Sequence, residues 1–214
     1  ELARRGLPVG EAPEKWGMDH PDAVRDVARQ YVEAGADIIL TNTFGGSAFK
    51  LAKIGLGMNT HAINATQAQL STEIAHPAGV LVAGSIGPTG EFMQPLGLVS
   101  EEDMVAAFAE QVRGLADGGV DAILIETMSD LGETKAALQA ARENFAGPVI
   151  CSMTFDHGPG GYATMMGVRP AQAAQDLEAA GADIVGSNCG AGIANIIEVI
   201  AAMRPATDLP LWAK

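Results

Sequence analysis

Basic residues are scarce in this chain: Lys and Arg total 13 against 26 Asp and Glu, a formal net charge of −13. No cluster of them offers phosphate neutralisation, which argues against a nucleic-acid partner. Cysteine is scarcer still. Cys151 and Cys189 lie far apart and make no disulfide framework, so a reducing compartment is expected. No apolar run approaches the roughly 20 residues that span a bilayer. The N-terminal ELARRGLPVGEAPEKW lacks the apolar core of a signal peptide, so no membrane partner and a cytoplasmic location are expected. Aromatics make up only 5%, which leaves an aliphatic core of Ala-rich helices on a Val/Ile/Leu sheet. A GxGxxG turn after the first strand-like run is also missing, which disfavours a doubly wound open sheet.

What is present is one short phrase, written three times. It reads EAGADIILTNTF from Glu33, DGGVDAILIETM from Asp117 and AAGADIVGSNCG from Ala179. Each copy has a glycine (Gly35, Gly119, Gly181), then an aspartate (Asp37, Asp121, Asp183), then an apolar run ending in polar residues. A helix stopped at glycine, a tight turn and a buried parallel strand produce this pattern. Its repetition indicates an α/β fold of the (β/α)8 TIM-barrel type. The C-terminal strand ends then share one rim, where such barrels carry their function.

Helical patterns are expected at Pro21–Ala34, Asn59–Ala75, Ser100–Ala116, Leu131–Asn144, Pro170–Ala179 and Ile193–Met203. Strands are expected at Asp37–Thr43, Val80–Ser85, Ala122–Glu126, Val149–Thr154, Asp183–Asn188 and Leu209–Ala213. No linker divides residues 1–214, which read as a single barrel-type domain with about six of eight strands. The chain is short of the roughly 250 residues of a typical barrel, begins without Met, and stops just after LPLWAK. The first and last strands are therefore expected to be missing. Asp37–Thr43 and Leu209–Ala213 would then be bare edges, a hazard for aggregation.

Several strand ends carry groups suited to chemistry. Cys189, in SNCGAG, is flanked by small residues that leave its sulfur accessible, as a zinc ligand or a nucleophile, or else as a small buried hydrophobe. A nucleophile needs a base, and among the histidines only His157 is placed near the rim, where a plain surface role is the commoner one. Cys151, early in VICSMTF, reads as core. Glu126 ends its strand after AILI. A carboxylate there calls for a cation, either a bound ammonium group or a structural ion pair. Asn42, Thr43, Ser85 and Asn188 hold matching strand ends and offer neutral donors and acceptors.

The stretches GADIILTNTFGG, GSIGPTGE, PLG, VDAILIETMSDLGETKAAL, SMTFD and GSNCG together resemble the zinc-dependent homocysteine S-methyltransferase family. That family includes the homocysteine-binding module of cobalamin-dependent methionine synthase and the betaine–homocysteine methyltransferases. The resemblance implies a (β/α)8 barrel that binds homocysteine and moves a methyl group to its zinc-activated thiol, giving methionine. A cysteine-like thiol has a pKa of about 8.5, and zinc binding deprotonates it while leaving it nucleophilic.

By the same resemblance, Cys189 matches the first of three zinc cysteines, and the other two belong to a GGCC motif beyond Lys214. Glu126 matches the glutamate that binds the substrate amino group, and Thr43 and Ser85 lie on motifs lining the pocket. GPTGE and SMTFD are closer to the corrinoid-partnered members, which implies a methyl-corrinoid or folate-linked donor, with a corrinoid carried on a partner domain or protein; betaine-like donors stay open. With one zinc cysteine, the 214-residue chain is expected to be inactive alone. Two alternatives are an aldolase or lyase barrel with Glu126 as base, and a non-catalytic remnant stabilised as an oligomer.

Overall fold

The repeated phrase is the corner at which a helix turns into a strand. Gly35, Gly119 and Gly181 all have left-handed backbones, with φ of 85°, 82° and 96°. That conformation ends a helix without Cβ strain. Two of the following aspartates then satisfy the first free amide of the neighbouring strand. Asp121 Oδ2 accepts from Val82 N at 2.7 Å, and Asp183 Oδ2 accepts from Val149 N at 2.7 Å. Burial works to raise the Asp183 pKa, but the Val149 amide and the Arg142 guanidinium outweigh it and hold the carboxyl low.

The computed structural model describes all 214 residues, Glu1–Lys214. In chain order the elements are α1 (Pro13–Asp19), α2 (Pro21–Glu33), β1 (Ile38–Leu40), α3 (Ala48–Ala52), α4 (Thr60–Ala75), β2 (Leu81–Ile86), α5 (Glu101–Asp117) and β3 (Ala122–Met128). They continue with α6 (Leu131–Asn144), β4 (Val149–Met153), β5 (Asp156–Gly158), β6 (Gly161–Ala163), α7 (Pro170–Ala179), β7 (Ile184–Ser187), α8 (Ile193–Met203) and β8 (Leu211–Ala213). Six strands pair in parallel in the order β1-β2-β3-β4-β7-β8, and β5 with β6 forms a separate antiparallel hairpin. The sheet is a curled, partial TIM barrel with β1 and β8 as its free edges, as the sequence pattern predicts. No helix is long and apolar enough to cross a membrane.

Expected and observed helices agree to within a residue or two. Ser100 caps α5, accepting from Asp103 N at 3.1 Å while its hydroxyl donates to Asp103 Oδ2 at 2.7 Å. The edge strands are shorter than expected. After Leu40 the side chains of Thr41 and Thr43 take over the bonding to Ser85, so the regular ladder stops. At the other edge Pro210 has no N–H to donate, and pairing becomes regular only at Leu211.

Side chains alternate between the two faces of each strand. Ile123, Ile125, Val149, Cys151, Met153 and Val185 point toward the helices and join the main core with Phe108, Leu115, Leu138 and Leu177. Fully burying one such side chain stabilises the fold by about 1.5–3 kcal/mol. Cys151 is wholly buried there, as read from the sequence, and burial pushes its thiol pKa up to about 12. The opposite face holds a second cluster made of strand residues alone: Ala83, Leu124 and Ile150, with Leu40, Ala122, Ile184 and Trp212 against them. Gly186 leaves room for the backbone of Trp212, which a Cβ at that position would strike. One step of the alternation beyond this layer, the same inward face carries Ser85, Glu126, Ser152 and Lys214, and on β7, where Gly186 intervenes, Asn188 lies two steps beyond Ile184.

Between the free edges, β1 and β8 together with α2 line an apolar cavity of about 480 Å³, with Ile38, Leu40, Val24, Tyr31 and Trp212 in its wall. This is the side on which the curled sheet remains open.

Candidate active site at the strand ends

Glu126 is the centre of the inward polar ring. It is only 3% exposed, so its charge requires partners. Ser85 Oγ donates to its Oε1 at 2.6 Å, and the Lys214 ammonium lies 2.5 Å from its Oε2. Ser85 is itself clamped by the TNTFGG loop. Its amide donates to Thr41 Oγ1 at 3.0 Å, and its carbonyl accepts from Thr43 Oγ1 at 2.7 Å. Thr41 and Thr43 hydroxyls meet at 2.5 Å. Thr43 is fully buried, with its hydroxyl engaged in holding Ser85.

Directly after Glu126 the pairing of β3 with β4 shifts register between Ile125 and Met128. A bulge of this kind re-aims side chains next to functional sites. Here Thr127 adopts a left-handed backbone with φ of 60°, and Cys189 does the same with φ of 63°. They are the chain's two non-glycine residues in that region, and each costs about 1–3 kcal/mol in strain. Their side chains converge, with Thr127 Oγ1 3.5 Å from Cys189 Sγ.

Asn188 ties the pair together. Its Oδ1 accepts from Thr127 N at 2.8 Å and from Ser152 Oγ at 2.7 Å. Its Nδ2 donates to Thr127 Oγ1 at 2.7 Å and to Cys189 Sγ at 3.3 Å. Cys189 is exposed, so its sulfur is presented to the mouth of the barrel while a buried amide fixes its base.

Of the residues singled out from the sequence, Glu126 and Ser85 are in direct contact, as are Asn188 and Cys189. Thr43 supports Ser85 from behind. Asn42 faces the helices instead, donating to Pro13 O at 2.9 Å and Gln67 Oε1 at 3.0 Å. His157 lies on the β5–β6 hairpin, exposed, with its ring edge-on to Tyr162 at 5.0 Å, and it touches no member of the ring. Glu126 is the ring's one carboxylate, a poor basis for the several inward acids that a carboxylate-bound metal in an aldolase-type barrel needs.

Two contributors escape the motif reading. Lys214 would follow from counting alternate residues after Trp212. Thr127 ends the second copy of the phrase, but the bulge breaks the alternation from which its direction would be read. Glu14 sits in α1, 3% exposed, and its Oε1 accepts from Gly45 N at 2.5 Å. A further buried acid, Glu133, anchors the GPTGE segment, with both the amide and the hydroxyl of Thr89 donating to its Oε1 at 2.7 Å. Burial pushes the Glu133 carboxyl up, the Thr89 bonds oppose this, Asp130 adds to it and Lys50 opposes it. The Lys50 ammonium, held low mainly by burial, stands 5.0 Å over the Phe44 ring.

No group of three His, Cys, Asp or Glu side chains comes together in a geometry that could hold a metal ion. A structural or catalytic zinc takes at least three protein ligands. The rim offers a single thiol, Cys189, the other being buried in the core at Cys151, and the residues present do not by themselves fit the ion.

The sequence profile described as homocysteine S-methyltransferase matches residues 3–214. Betaine–homocysteine S-methyltransferase 1 of the zebrafish Danio rerio is 31% identical over 210 residues, 97% of this chain and 50% of that protein. Methionine synthase of Mycobacterium tuberculosis is 31% identical over 188 residues, 83% of this chain and 15% of that protein. The chain thus spans half or less of the length of these relatives. Among solved structures, the metallated form of the homocysteine methyltransferase MmuM from Escherichia coli superposes with a TM-score of 0.82 at 22% identity, covering 99% of this chain and 78% of that one, a likeness of fold. By the profile that matches almost its whole length, this chain belongs to the homocysteine S-methyltransferase family.

Proposed function

We propose that the protein transfers a methyl group to the thiol of homocysteine, giving methionine, and that the polar ring is its amino-acid site. The observation that supports this most is Glu126. It is a buried carboxylate held by Ser85 at the barrel mouth, already in contact with a primary ammonium group, that of Lys214. The α-ammonium of an amino acid presents the same chemistry. Ser85 keeps Oε1 engaged and so turns Oε2 toward the ligand. Asn188 bonds both Cys189 and Thr127, the residue that follows Glu126, which supports reading a thiol and an ammonium receptor on one rim.

In this reading Cys189 supplies one ligand to a zinc ion whose other protein ligands come from residues outside these 214, and the 214-residue chain alone is inactive. The zinc would supply a thiolate form of the substrate at neutral pH. Thr43 and Asn42 act indirectly, Thr43 by clamping Ser85 and Asn42 by fixing the TNTFGG loop to α1 and α4.

The proposed donor is a methyl-corrinoid or folate-linked carrier, on the strength of the GPTGE and SMTFD segments. A betaine-like donor is the second reading. It is supported by the zebrafish relative, which is as identical as the mycobacterial methionine synthase. The test is methionine formation from homocysteine by a form of the protein spanning the length of its relatives, with each donor in turn. Glu126→Gln should weaken homocysteine binding about tenfold or more. Unaltered affinity in that variant would remove Glu126 from the site.

A further inference from the structure

The inward ring contains one anion and one cation, and they touch. Glu126 is pinned, with its side chain only 4% exposed and Ser85 donating to one oxygen. Lys214 is different. Its backbone is fixed, because Lys214 N donates to Ser187 O at 3.1 Å and extends the β7–β8 ladder. Its side chain is 43% exposed, and four methylenes let the ammonium swing away from Glu126 without moving the strand. Ser85, Ser152 and Asn188, the neutral members of the ring, have hydroxyls and amide committed to one another's strands.

We propose that Lys214 is the α-carboxylate anchor of the amino-acid substrate, so that Glu126 and Lys214 together form a receptor for a zwitterion. This rests on the reading of the ring as a homocysteine site, and it names the residue that distinguishes an amino acid from a simple amine. An α-amino acid carries its ammonium and carboxylate on one carbon. Inserted between Glu126 and Lys214, it replaces one ion pair by two: Glu126 with the ammonium, and Lys214 with the carboxylate. The charge of the site is zero before and after, so the ligand leaves no buried charge unpaired. A carboxylate without an ammonium would strand the buried Glu126, whereas an amine without a carboxylate would release the half-exposed Lys214 to solvent and forgo the second ion pair. The resting ion pair therefore favours the zwitterion over ligands bearing one of the two charges, by charge pairing rather than by shape.

The experiment measures binding of three thiols by calorimetry, using a form of the protein that spans the length of its relatives. The thiols are homocysteine, aminopropanethiol (homocysteine without its carboxylate) and mercaptobutanoate (homocysteine without its ammonium). The unsubstituted protein should bind homocysteine at least ~tenfold more tightly than either fragment. Lys214→Met should lose most of the preference for homocysteine over aminopropanethiol, while Lys214→Arg, which keeps the cation, should retain it. If homocysteine and aminopropanethiol bind the unsubstituted protein equally, the assignment is overturned, whatever the variants do. It is equally overturned if Lys214→Met weakens both by the same factor, the signature of a lysine that merely supports the fold. Absence of any homocysteine binding in the unsubstituted protein would instead overturn the amino-acid site itself.

Discussion

Thr127 and Cys189 face one another across the barrel mouth from matching left-handed backbones, with Oγ1 and Sγ 3.5 Å apart. Neither residue type favours that conformation, and a structure keeps it only where its surroundings hold it there. Here the holding group is Asn188, which bonds Thr127 at both its amide and its hydroxyl and reaches the Cys189 sulfur as well. The strain sits at the thiol that the rim exposes.

Relief of that strain is measurable. Cys189→Gly allows φ of 63° without a Cβ, and the side chain it removes is exposed and makes only long contacts through sulfur. This variant should be more stable than Cys189→Ala by about 1 kcal/mol. Urea unfolding of the two variants tests this. Equal midpoints would mean that the backbone at Cys189 is not strained.

The GPTGE segment offers a pH test. The folded-state pKa of Glu133 is raised above its ordinary value, chiefly by burial, so in the window between the two values the native chain binds more protons than the unfolded one. Stability from this group is therefore full on the acid side and is lost as pH rises through that window. Glu133→Gln keeps the oxygen that accepts both Thr89 bonds and removes the titration. Its stability should fall less than that of the unsubstituted chain as pH rises above the ordinary carboxylate range. Parallel pH dependence in unfolding midpoints would show that Glu133 titrates normally.

Much of this fold is legible in sequence because the glycine–aspartate corner recurs and each part has one physical job. Gly35, Gly119 and Gly181 stop helices, and Asp121 and Asp183 cap neighbouring strands. The short elements are harder to read. α1 carries Gly17 inside seven residues, and the β5–β6 hairpin is built around Gly158, Pro159, Gly160 and Gly161, so neither shows a periodic pattern. In the site, Glu126, Ser85, Asn188 and Cys189 are visible as polar residues at the ends of apolar runs. Their connections are not visible. The bulge at Thr127 interrupts the alternation from which its direction would be read, and Glu14 reaches Gly45 from a helix that the pattern does not announce. Lys214 is a matter of counting on from Trp212, a step that matters only once the curl of the sheet brings β8 opposite β3.

In the function proposed above, this rim, built around Cys189 and Glu126, is the zinc-bearing amino-acid site of a homocysteine methyltransferase. Its most direct test is zinc content per chain, in this 214-residue chain and in a form spanning the length of its relatives, each with Cys189 intact and with Cys189→Ala. Zinc is expected at about one per chain in the longer form, lost on Cys189→Ala, and absent from the 214-residue chain. Zinc retained by the longer Cys189→Ala protein, or absent from the longer form altogether, would contradict it.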